Sequence, residues 1–447
     1  SRLPGLTILA TSRSPLNLAH EHVVAVGALD VATTAQGQEQ SDAVELFRQR
    51  ARAIRPGYDP GPADLRAIEA ICIQLGGLPL AIELAAARIR VMSPQALQAR
   101  LSQPLRVLAA GPHDAPARHR SMRDAIDWSY RLLPAEQRAL LRAMGVFSGS
   151  VPLDGIEQVA HAAGIATAGD LIELLARLAD ASMIEPVERE QAEPRFQILA
   201  TVREFLVEEL ERDGELVSMQ DLHAGWIESL SASLAGRFER PQEHFAFARS
   251  RSELSNIRAA LGWSLQQGAT ARAVRIAGNL ADFWSFGGQS SEGRRWVERI
   301  IPVLERQPLT DRERFQFWVS AGLIAWSQGD AKEATQRYTC ALELARSLTD
   351  VDQARAHMWL AQSAWYEGDY QQMATHARDA IDIAPEKCVP GAGARTLLGI
   401  AEMRLDHLDE AERVLTTAQA LHAEIGFTRA AIWTLQLLGD LALLRGD

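Results

Sequence analysis

The strongest constraint on the fold is a sequence repeat in the C-terminal third of the chain. A two-residue turn signal recurs at intervals of 38 to 40 residues, as Gly329-Asp330, Gly368-Asp369, Asp406-His407 and Gly446-Asp447. A small residue stands seven positions before each signal, and an alanine stands twelve positions after the first three; these residues are Gly322, Ala361, Gly399, Gly439, Ala341, Ala380 and Ala418. Small residues let two helices approach closely, and glycine permits the turn between them. The pattern therefore predicts antiparallel helix pairs over residues 311–447.

These predicted helix pairs resemble tetratricopeptide (TPR) repeats, although their period exceeds the standard length of about 34 residues. Gly287-Gly288 and Trp296 predict one earlier, divergent unit within a helical connector, residues 213–310. An array of such units curves into a superhelix with a concave binding groove. The resemblance therefore implies that a protein or small-molecule signal binds in that groove.

Four tryptophans of this region admit two interpretations; they are Trp284, Trp326, Trp359 and Trp365. They fall in the first helices of the predicted pairs, which favours a place in the core of each unit. Stacking of a ligand in the groove is the alternative interpretation.

Composition excludes several classes of protein. Hydrophobic residues make up 47% of the 447 residues, enough for several cores, and no run approaches the roughly 20 apolar residues of a membrane span. The three cysteines are far apart and odd in number, so they predict free thiols in a reducing cytoplasm. The eleven histidines show no metal-ligand spacing, and His161, His357 and His376 lie singly on predicted helices and are interpreted as surface or core residues. We therefore predict no metal site and no catalytic residues.

The net charge of −11 argues against a general affinity for nucleic acid. The stretch Arg88–Arg142 is nevertheless basic, with ten arginines against four acidic residues. We interpret this stretch as the solvated face of a helical domain. A nucleic-acid-binding patch is the alternative.

The N-terminal segment predicts the end of an α/β domain. Leu6–Thr11 is a short apolar, β-branched run that ends in the polar turn Ser12–Pro15, and Val23–Val26 predicts a second strand. A buried strand of this kind delivers polar residues at its C-terminal end, where open α/β sheets bind ligands. From Ser41 the apolar period becomes helical. Helices are predicted from Ser41, over Ala63–Leu75, over Leu80–Val91 and from Ser93-Pro94.

Two motifs resemble the STAND class of nucleotide switches, which includes plant disease-resistance proteins and many actinobacterial regulators. Leu9–Arg13 (LATSR) resembles the sensor strand, in which the terminal arginine reaches the γ-phosphate of ATP. Gly76–Ala86 (GGLPLAIELAA), preceded by Ala43–Phe47, resembles the helical lid with its Gly-Leu-Pro-Leu motif, where the proline lies against the adenine ring. The resemblance implies nucleotide-binding roles for Thr11, Ser12, Arg13, Gly77, Leu78, Pro79 and Leu80.

A third motif, Arg118–Tyr130 (RHRSMRDAIDWSY), is similar to the entry of the winged-helix domain in NB-ARC-like ATPase regulators of the AfsR and LuxR type. Phe196–Leu206 (FQILATVREFL) resembles the end of that domain. Short strands predicted at Ser182–Ile184 and Arg195–Leu199, after several helices, fit its element order. Glu253–Leu261 resembles the helical segment that follows the domain in these regulators.

Two features depart from the family pattern. The chain contains no G-x-x-x-x-G-K-[ST] phosphate loop and no apolar strand that ends in paired acids. Both elements precede the sensor strand in the family, so we expect a fragment that lacks Walker A and Walker B. Leu199-Ala200 stand where many members place a His-Asp pair that contacts ADP, and no residue is assigned a role there. ADP or ATP with magnesium is expected in the full-length protein, and neither should bind tightly to this fragment.

Together these patterns predict a mainly α chain with five parts. They are the remnant of an α/β nucleotide-binding domain (1–28), a helical lid (29–115), a winged helix (116–212), a helical connector (213–310) and an α-solenoid of TPR-like repeats (311–447). The resemblance implies a cytoplasmic ADP/ATP switch, at most a slow regulatory ATPase, that self-associates on activation. Its expected output is transcriptional, with DNA bound through a domain outside this sequence and no membrane partner. A protein-interaction scaffold with a degenerate nucleotide module, and direct DNA binding by the winged helix, are the alternatives.

Overall fold

The computed structural model describes residues 9–10, 21–22, 24, 26–31, 41–101, 104–108, 121–165, 168–187, 193–238, 240–304, 308–385 and 387–446. The chain divides into two compact units, 1–223 and 224–447, and each is described by itself. Helices dominate both units, which confirms the predicted mainly α class. No helix within the described ranges combines the length and the apolar character needed to cross a membrane.

The first unit begins with a group of short helices. They are α1 (Asp42–Ile54), α2 (Pro62–Gln74), α3 (Pro79–Ala86), the 3-10 turn Ala87–Arg90 and α4 (Pro94–Arg100). The side chains of Ser41 and Ser93 cap α1 and α4 by accepting hydrogen bonds from backbone N–H groups in the first turn. One face of α1, which carries Val44, Phe47 and Ala51, is buried, as its apolar spacing predicts.

The rest of the first unit alternates helices with a small sheet. Its elements are α5 (Pro104–Val107), α6 (Met122–Arg131), α7 (Ala135–Met144), β1 (Val151–Pro152), α8 (Leu153–Ala162), α9 (Ala168–Asp180), β2 (Glu185–Val187), β3 (Arg195–Gln197) and α10 (Ala200–Arg212). The strands are antiparallel in the order β1-β3-β2, with Phe196 opposite both Val151 and Pro186. The buried guanidinium of Arg195 donates to the hydroxyl and the carbonyl oxygen of Ser150, which ties β3 to the start of β1.

Several strand predictions differ from the structure. Ser182–Ile184 forms the turn after α9, because Ser182 has a left-handed backbone with φ of 56°, and the strand begins at Glu185. Leu9, Val24 and Val26 belong to no strand and are 97%, 82% and 94% exposed. A strand must exchange backbone hydrogen bonds with a neighbour, and the described residues supply no such neighbour to these positions. The other residues of Leu6–Thr11 lie outside the described ranges.

The second unit consists of helices throughout its described ranges. Its elements are α11 (Leu216–Ala235), which contains the division between the units, α12 (Glu243–Ser252), α13 (Leu254–Gln266), α14 (Thr270–Asn279), α15 (Ala281–Phe286), α16 (Ser290–Leu304), α17 (Asp311–Ser327), α18 (Ala331–Ala345), α19 (Asp350–Glu367), α20 (Tyr370–Ile383), α21 (Val389–Arg404), α22 (Leu408–Ile425) and α23 (Thr428–Arg445). Successive helices from α17 to α23 pack on one another, which confirms the predicted array of helix pairs.

The first three repeated turn signals stand between the two helices of a pair, and Gly446 of the fourth follows α23. Gly329, Gly368 and Gly446 have φ of 79°, 76° and 81°, a backbone region that glycine enters without a steric penalty. Asp406 occupies the corresponding turn with φ of 65°, and a short polar side chain of this kind tolerates the left-handed conformation. Gly288, between α15 and α16, has φ of 80° and marks the earlier unit that the sequence predicts.

The small residues before these turns lie where two helices touch. A Cβ atom on Gly322 of α17 would stand 2.3 Å from the ring of Tyr338 on α18. A Cβ atom on Gly399 of α21 would stand 2.4 Å from Leu415 Cγ on α22. Ala361 is fully buried at the equivalent position of α19, whereas a Cβ on Gly439 would meet nothing within 4 Å. The large residue on the second helix therefore sets the requirement for a small residue on the first.

We predict that Gly322→Ala makes the repeat array less stable than Gly439→Ala does, by about 1–3 kcal/mol, because only the first adds a methyl group to a filled contact. Both substitutions gain up to about 1 kcal/mol of helix propensity, so their difference isolates the clash. Denaturant melts followed by circular dichroism, with hydrogen exchange to localise the loss to α17 and α18, measure the effect. Equal stability of the two variants would contradict the close contact.

Candidate functional site

The loop between α2 and α3 holds the predicted nucleotide-binding residues that the structure describes. Gly76 and Gly77 have φ of 63° and 68°, so the chain reverses direction on two consecutive left-handed residues. Pro79 is exposed and occupies the first turn of α3, where its missing N–H costs nothing. The sequence Gly-Gly-Leu-Pro thus forms a tight loop with a rigid proline at its end.

Two distant segments meet this loop. The amide of Leu29 donates to the carbonyl oxygen of Gly77 at 3.0 Å, and a Cβ atom on Gly77 would lie 2.2 Å from the carbonyl oxygen of Leu29. A Cβ atom on Gly76 would lie 3.0 Å from Leu199 Cδ2, at the start of α10. Glycine is required at position 77 for both its backbone conformation and its lack of a side chain.

The structure therefore brings part of the predicted site together. One loop contains Gly77, Leu78, Pro79 and Leu80. Leu199, which follows strand β3, contacts this loop at Gly76. Thr11, Ser12 and Arg13 lie outside the described residues, and the nucleotide-binding roles of all seven residues remain predictions. The contact from Leu199 could not be derived from sequence spacing, because more than a hundred residues separate it from the loop.

Within the described residues, some arginines of the basic stretch Arg88–Arg142 are paired with nearby groups. Arg142 pairs with Asp213 at 2.6 Å, and Arg131 pairs with Asp127 at 2.9 Å. Arg88 donates to the carbonyl oxygen of Val107 at 2.8 Å. The ion pairs of Arg131 and Arg142 reduce the charge available to a phosphate, which agrees with the interpretation of a solvated helical face.

The second unit contains an aromatic cavity of about 340 Å³. It is lined by Asp282, Phe286, Trp326, Met358, Trp359, Gln362, Trp365, Tyr366, Val389, Gly393, Thr396, Leu397, His422, Phe427, Arg429, Ala430 and Trp433. Ring pairs line its walls edge to face: Trp326 with Tyr366 at 5.3 Å, and Trp365 with Tyr366 at 5.6 Å between centroids. The volume lies within the range of small-molecule sites, roughly 300–1,000 Å³.

The charged groups around this cavity are already paired. Arg429 forms ion pairs with Asp282 at 3.3 Å and Glu243 at 3.4 Å, and it stacks on Phe286 with Cζ 4.3 Å from the ring centroid. The indole N–H groups of Trp326 and Trp359 are shielded from solvent and have no hydrogen-bond partner among the described residues. The wall that remains is apolar.

His422 adds a neutral polar group to the cavity wall. Burial lowers the pKa of its imidazole to about 4, so the ring is uncharged near neutral pH. Its Nε2 lies 3.2 Å from the hydroxyl of Thr396, which lies 3.1 Å from the hydroxyl of Thr434. The cavity therefore carries no uncompensated charge on its described side chains, and it suits an uncharged ligand.

The four tryptophans divide between the two interpretations. Trp284 is fully buried in the core, as favoured by its place in a first helix. Trp326, Trp359 and Trp365 are half-buried, pack against core clusters and also line the cavity. The sequence could not separate these cases, because both core and groove positions recur with the same helical period.

His357 and His376 lie on separate helices, as interpreted from the sequence, but they meet as a pair. His357 on α19 and His376 on α20 face each other, with their Nδ1 atoms 3.3 Å apart. The Oδ2 atom of Asp379 lies 3.6 Å from Nδ1 of His357. The sequence spacing of 19 residues has no fixed geometric meaning across a helix pair, so only the packing of α19 on α20 reveals the cluster.

Known proteins similar to this chain were found by sequence and by structure. A Mycobacterium tuberculosis protein named "Putative HTH-type transcriptional regulator" is 33% identical over 298 residues, which is 67% of this chain and 32% of that protein. An uncharacterized Mycobacterium tuberculosis protein is 33% identical over 216 residues, 47% of this chain and 52% of that protein. The chain thus spans about a third of the length of the regulator it matches. No family model matches the chain.

The search of solved structures matched, among others, a STAND protein with a tetratricopeptide repeat sensor from Pyrococcus horikoshii. It is 12% identical, with 90% of this chain and 63% of that chain covered and a TM-score of 0.34.

We predict that Gly77→Ala detaches the segment 26–31 from the loop, since the new methyl group would overlap the carbonyl oxygen of Leu29. Hydrogen exchange of the Leu29 amide should become faster, by a factor that corresponds to a loss of about 1–3 kcal/mol in the free energy of opening this contact. Gly57→Ala is the matched control, because Gly57 has a similar φ of 81° but nothing within 4 Å of its added Cβ. Unchanged protection of Leu29 in Gly77→Ala would show that this contact is absent in solution.

Proposed function

We propose that this chain is the lid, winged-helix and sensory part of an ADP/ATP-dependent transcriptional regulator. The observation that carries the proposal is the meeting of the loop Gly76–Leu80 with Leu29 and Leu199. In this proposal ADP and magnesium bind between the α/β core and the lid of the longer protein and hold it closed. A signal on the repeats opens it, ATP replaces ADP, and the opened molecules self-associate.

The lid loop has the properties that an adenine platform requires. Pro79 is exposed and rigid, and its ring offers an apolar surface without a donor. Leu29 contacts the loop at Gly77, and the side chain of Leu199 contacts it at Gly76. A displacement of Leu199, which follows the last strand of the sheet, would therefore be transmitted to the loop through its side chain. Nucleotide binding and the motion of these elements would then bias one two-state equilibrium.

The element order from α7 to β3 supports a winged helix for the second part of the first unit. Helix, strand, two helices and an antiparallel hairpin follow one another, and β1 closes the sheet beside β3. Direct DNA binding by this domain is disfavoured because α9 is acidic. It carries Asp170, Glu173 and Asp180 and a single basic residue, Arg177. Arg177 is itself paired with Glu173 at 2.9 Å. We propose instead that DNA is bound by a segment outside this sequence.

The transcriptional output of the proposal rests on the HTH-type regulator of Mycobacterium tuberculosis that shares 33% identity with the chain. The competing proposal, an interaction scaffold with a degenerate nucleotide module, shares the repeats but requires no nucleotide response. The two differ in whether the longer protein binds ADP and ATP, which the next experiment measures.

In the longer protein, Pro79→Ala should weaken ADP binding about fivefold, as expected when one apolar platform of about 1 kcal/mol is lost. Arg13→Ala should impair ATP binding and leave ADP binding nearly unchanged, because only ATP presents a γ-phosphate to the arginine. Calorimetry with each nucleotide measures both effects. Equal losses for ATP and ADP in Arg13→Ala would contradict the sensor assignment, and absence of nucleotide binding in the parent protein would favour the scaffold.

We further propose that the aromatic cavity of the second unit receives the signal, as an uncharged, flat, apolar molecule. Its walls present the faces and edges of Trp326, Trp365 and Tyr366, and its arginine is already neutralised. Aromatic rings pair favourably with other rings when offset or edge to face. A charged ligand would have to break the pair between Arg429 and Asp282 before it gained a partner.

Two probes with the same ring system test this ligand class. N-phenyl-1-naphthylamine is uncharged and should bind at least about tenfold more tightly than its sulfonated analogue 1-anilinonaphthalene-8-sulfonate, because burial of an unpaired anion is unfavourable. Ala430→Phe should fill the cavity and lower the affinity for the uncharged probe at least about tenfold. Trp318→Phe, outside the cavity, is the control. Tighter binding of the sulfonate, or unchanged binding in Ala430→Phe, would exclude the proposed site.

A further inference from the structure

Three side chains that metals favour as ligands converge on the outside of one helix pair. His357 lies on α19, and His376 and Asp379 lie three residues apart on α20, which places them on one face of that helix. One ligand atom from each of the three falls within 4.8 Å of the other two. All three residues are half-buried, so the cluster is partly shielded but open to solvent on one side.

The distances within the cluster fit a shared metal ion. Tetrahedral zinc with ligand bonds of about 2.0–2.2 Å requires its ligand atoms to be about 3.3–3.5 Å apart. The two Nδ1 atoms are 3.3 Å apart, and the carboxylate oxygen of Asp379 is 3.6 Å from Nδ1 of His357. In the absence of a metal ion the same two nitrogens can share one hydrogen bond, with one ring as donor and the other as acceptor.

The electrostatics of the cluster also suit a cation. A neutral imidazole offers a ring-nitrogen lone pair to a metal ion, and His357 and His376 each bring one such nitrogen to the cluster. Asp379 supplies one negative charge, and Arg346 is the nearby cation that opposes metal binding to His357. Two imidazoles and one carboxylate form a ligand set that zinc and neighbouring divalent transition metals bind, whereas calcium and magnesium prefer oxygen ligands alone.

We propose that His357, His376 and Asp379 form a binding site for a divalent transition-metal ion of the zinc class, with the fourth position open to water. The site joins the two helices of one pair, so the bound ion stabilises the pairing of α19 with α20. Helix α19 also supplies Met358, Trp359, Gln362, Trp365 and Tyr366 to the aromatic cavity. Metal binding therefore fixes the helix that forms much of the cavity wall, independently of any nucleotide.

The test is titration of zinc chloride into the metal-free 447-residue chain, without a polyhistidine tag, by calorimetry. We expect saturation at one ion per chain at micromolar concentration and a higher melting temperature with zinc present. Cobalt substitution should give the visible absorption of a tetrahedral nitrogen and oxygen site. Absence of saturable binding, or cobalt spectra with thiolate bands from the cysteines, would overturn the proposal.

Matched variants locate the ion. His376→Ala should abolish the binding, and the isosteric Asp379→Asn should weaken it at least about tenfold. His161→Ala removes an exposed histidine of α8 and should change nothing. The metal-free melting temperatures of the variants control for folding. Unchanged zinc binding in both His376→Ala and Asp379→Asn would place the ion elsewhere and refute the site.

Discussion

The close contact between a small residue on one helix and a large residue on the next is the interaction on which the second unit depends. Gly322 leaves room for Tyr338, and Gly399 leaves room for Leu415, so α17 packs closely on α18 and α21 packs closely on α22. Left-handed turns at Gly329, Gly368 and Asp406 then return the chain. Each helix contacts the next one along the chain, so stability passes from neighbour to neighbour along the array.

The same helix packing creates the aromatic cavity and the histidine cluster of this unit. Close approach of α17, α19, α21 and α23 leaves tryptophan rings between successive pairs, and their rigid shapes enclose a cavity instead of filling it. On α19 and α20 it also sets His357 against His376. Neither region needs an irregular backbone, because both use positions on helices that the array already holds in place. Ligand and metal could therefore act on one shared element.

In the first unit, close contact through small residues occurs at the loop Gly76–Leu80. Gly76 and Gly77 remove the side chains that would otherwise keep Leu29 and Leu199 away, so parts of the chain far apart in sequence meet at the start of α3. A contact that depends on two missing side chains leaves little tolerance for displacement. The proposed switch would need such sensitivity at the point where its parts touch.

The sequence by itself determined the helical class, the turns and the small residues of the array, since each follows from local backbone preference or from a fixed period. It also identified the loop at Gly77–Leu80, because glycine permits a left-handed backbone and proline restricts φ, so both residues indicate the local backbone geometry. Tertiary structure alone decided the contact of Leu199 with the loop, the division of the tryptophans and the pairing of His357 with His376. It also moved the start of β2 from Ser182 to Glu185. These features depend on the distances between side chains of separate elements. The period of a sequence pattern carries no information about those distances.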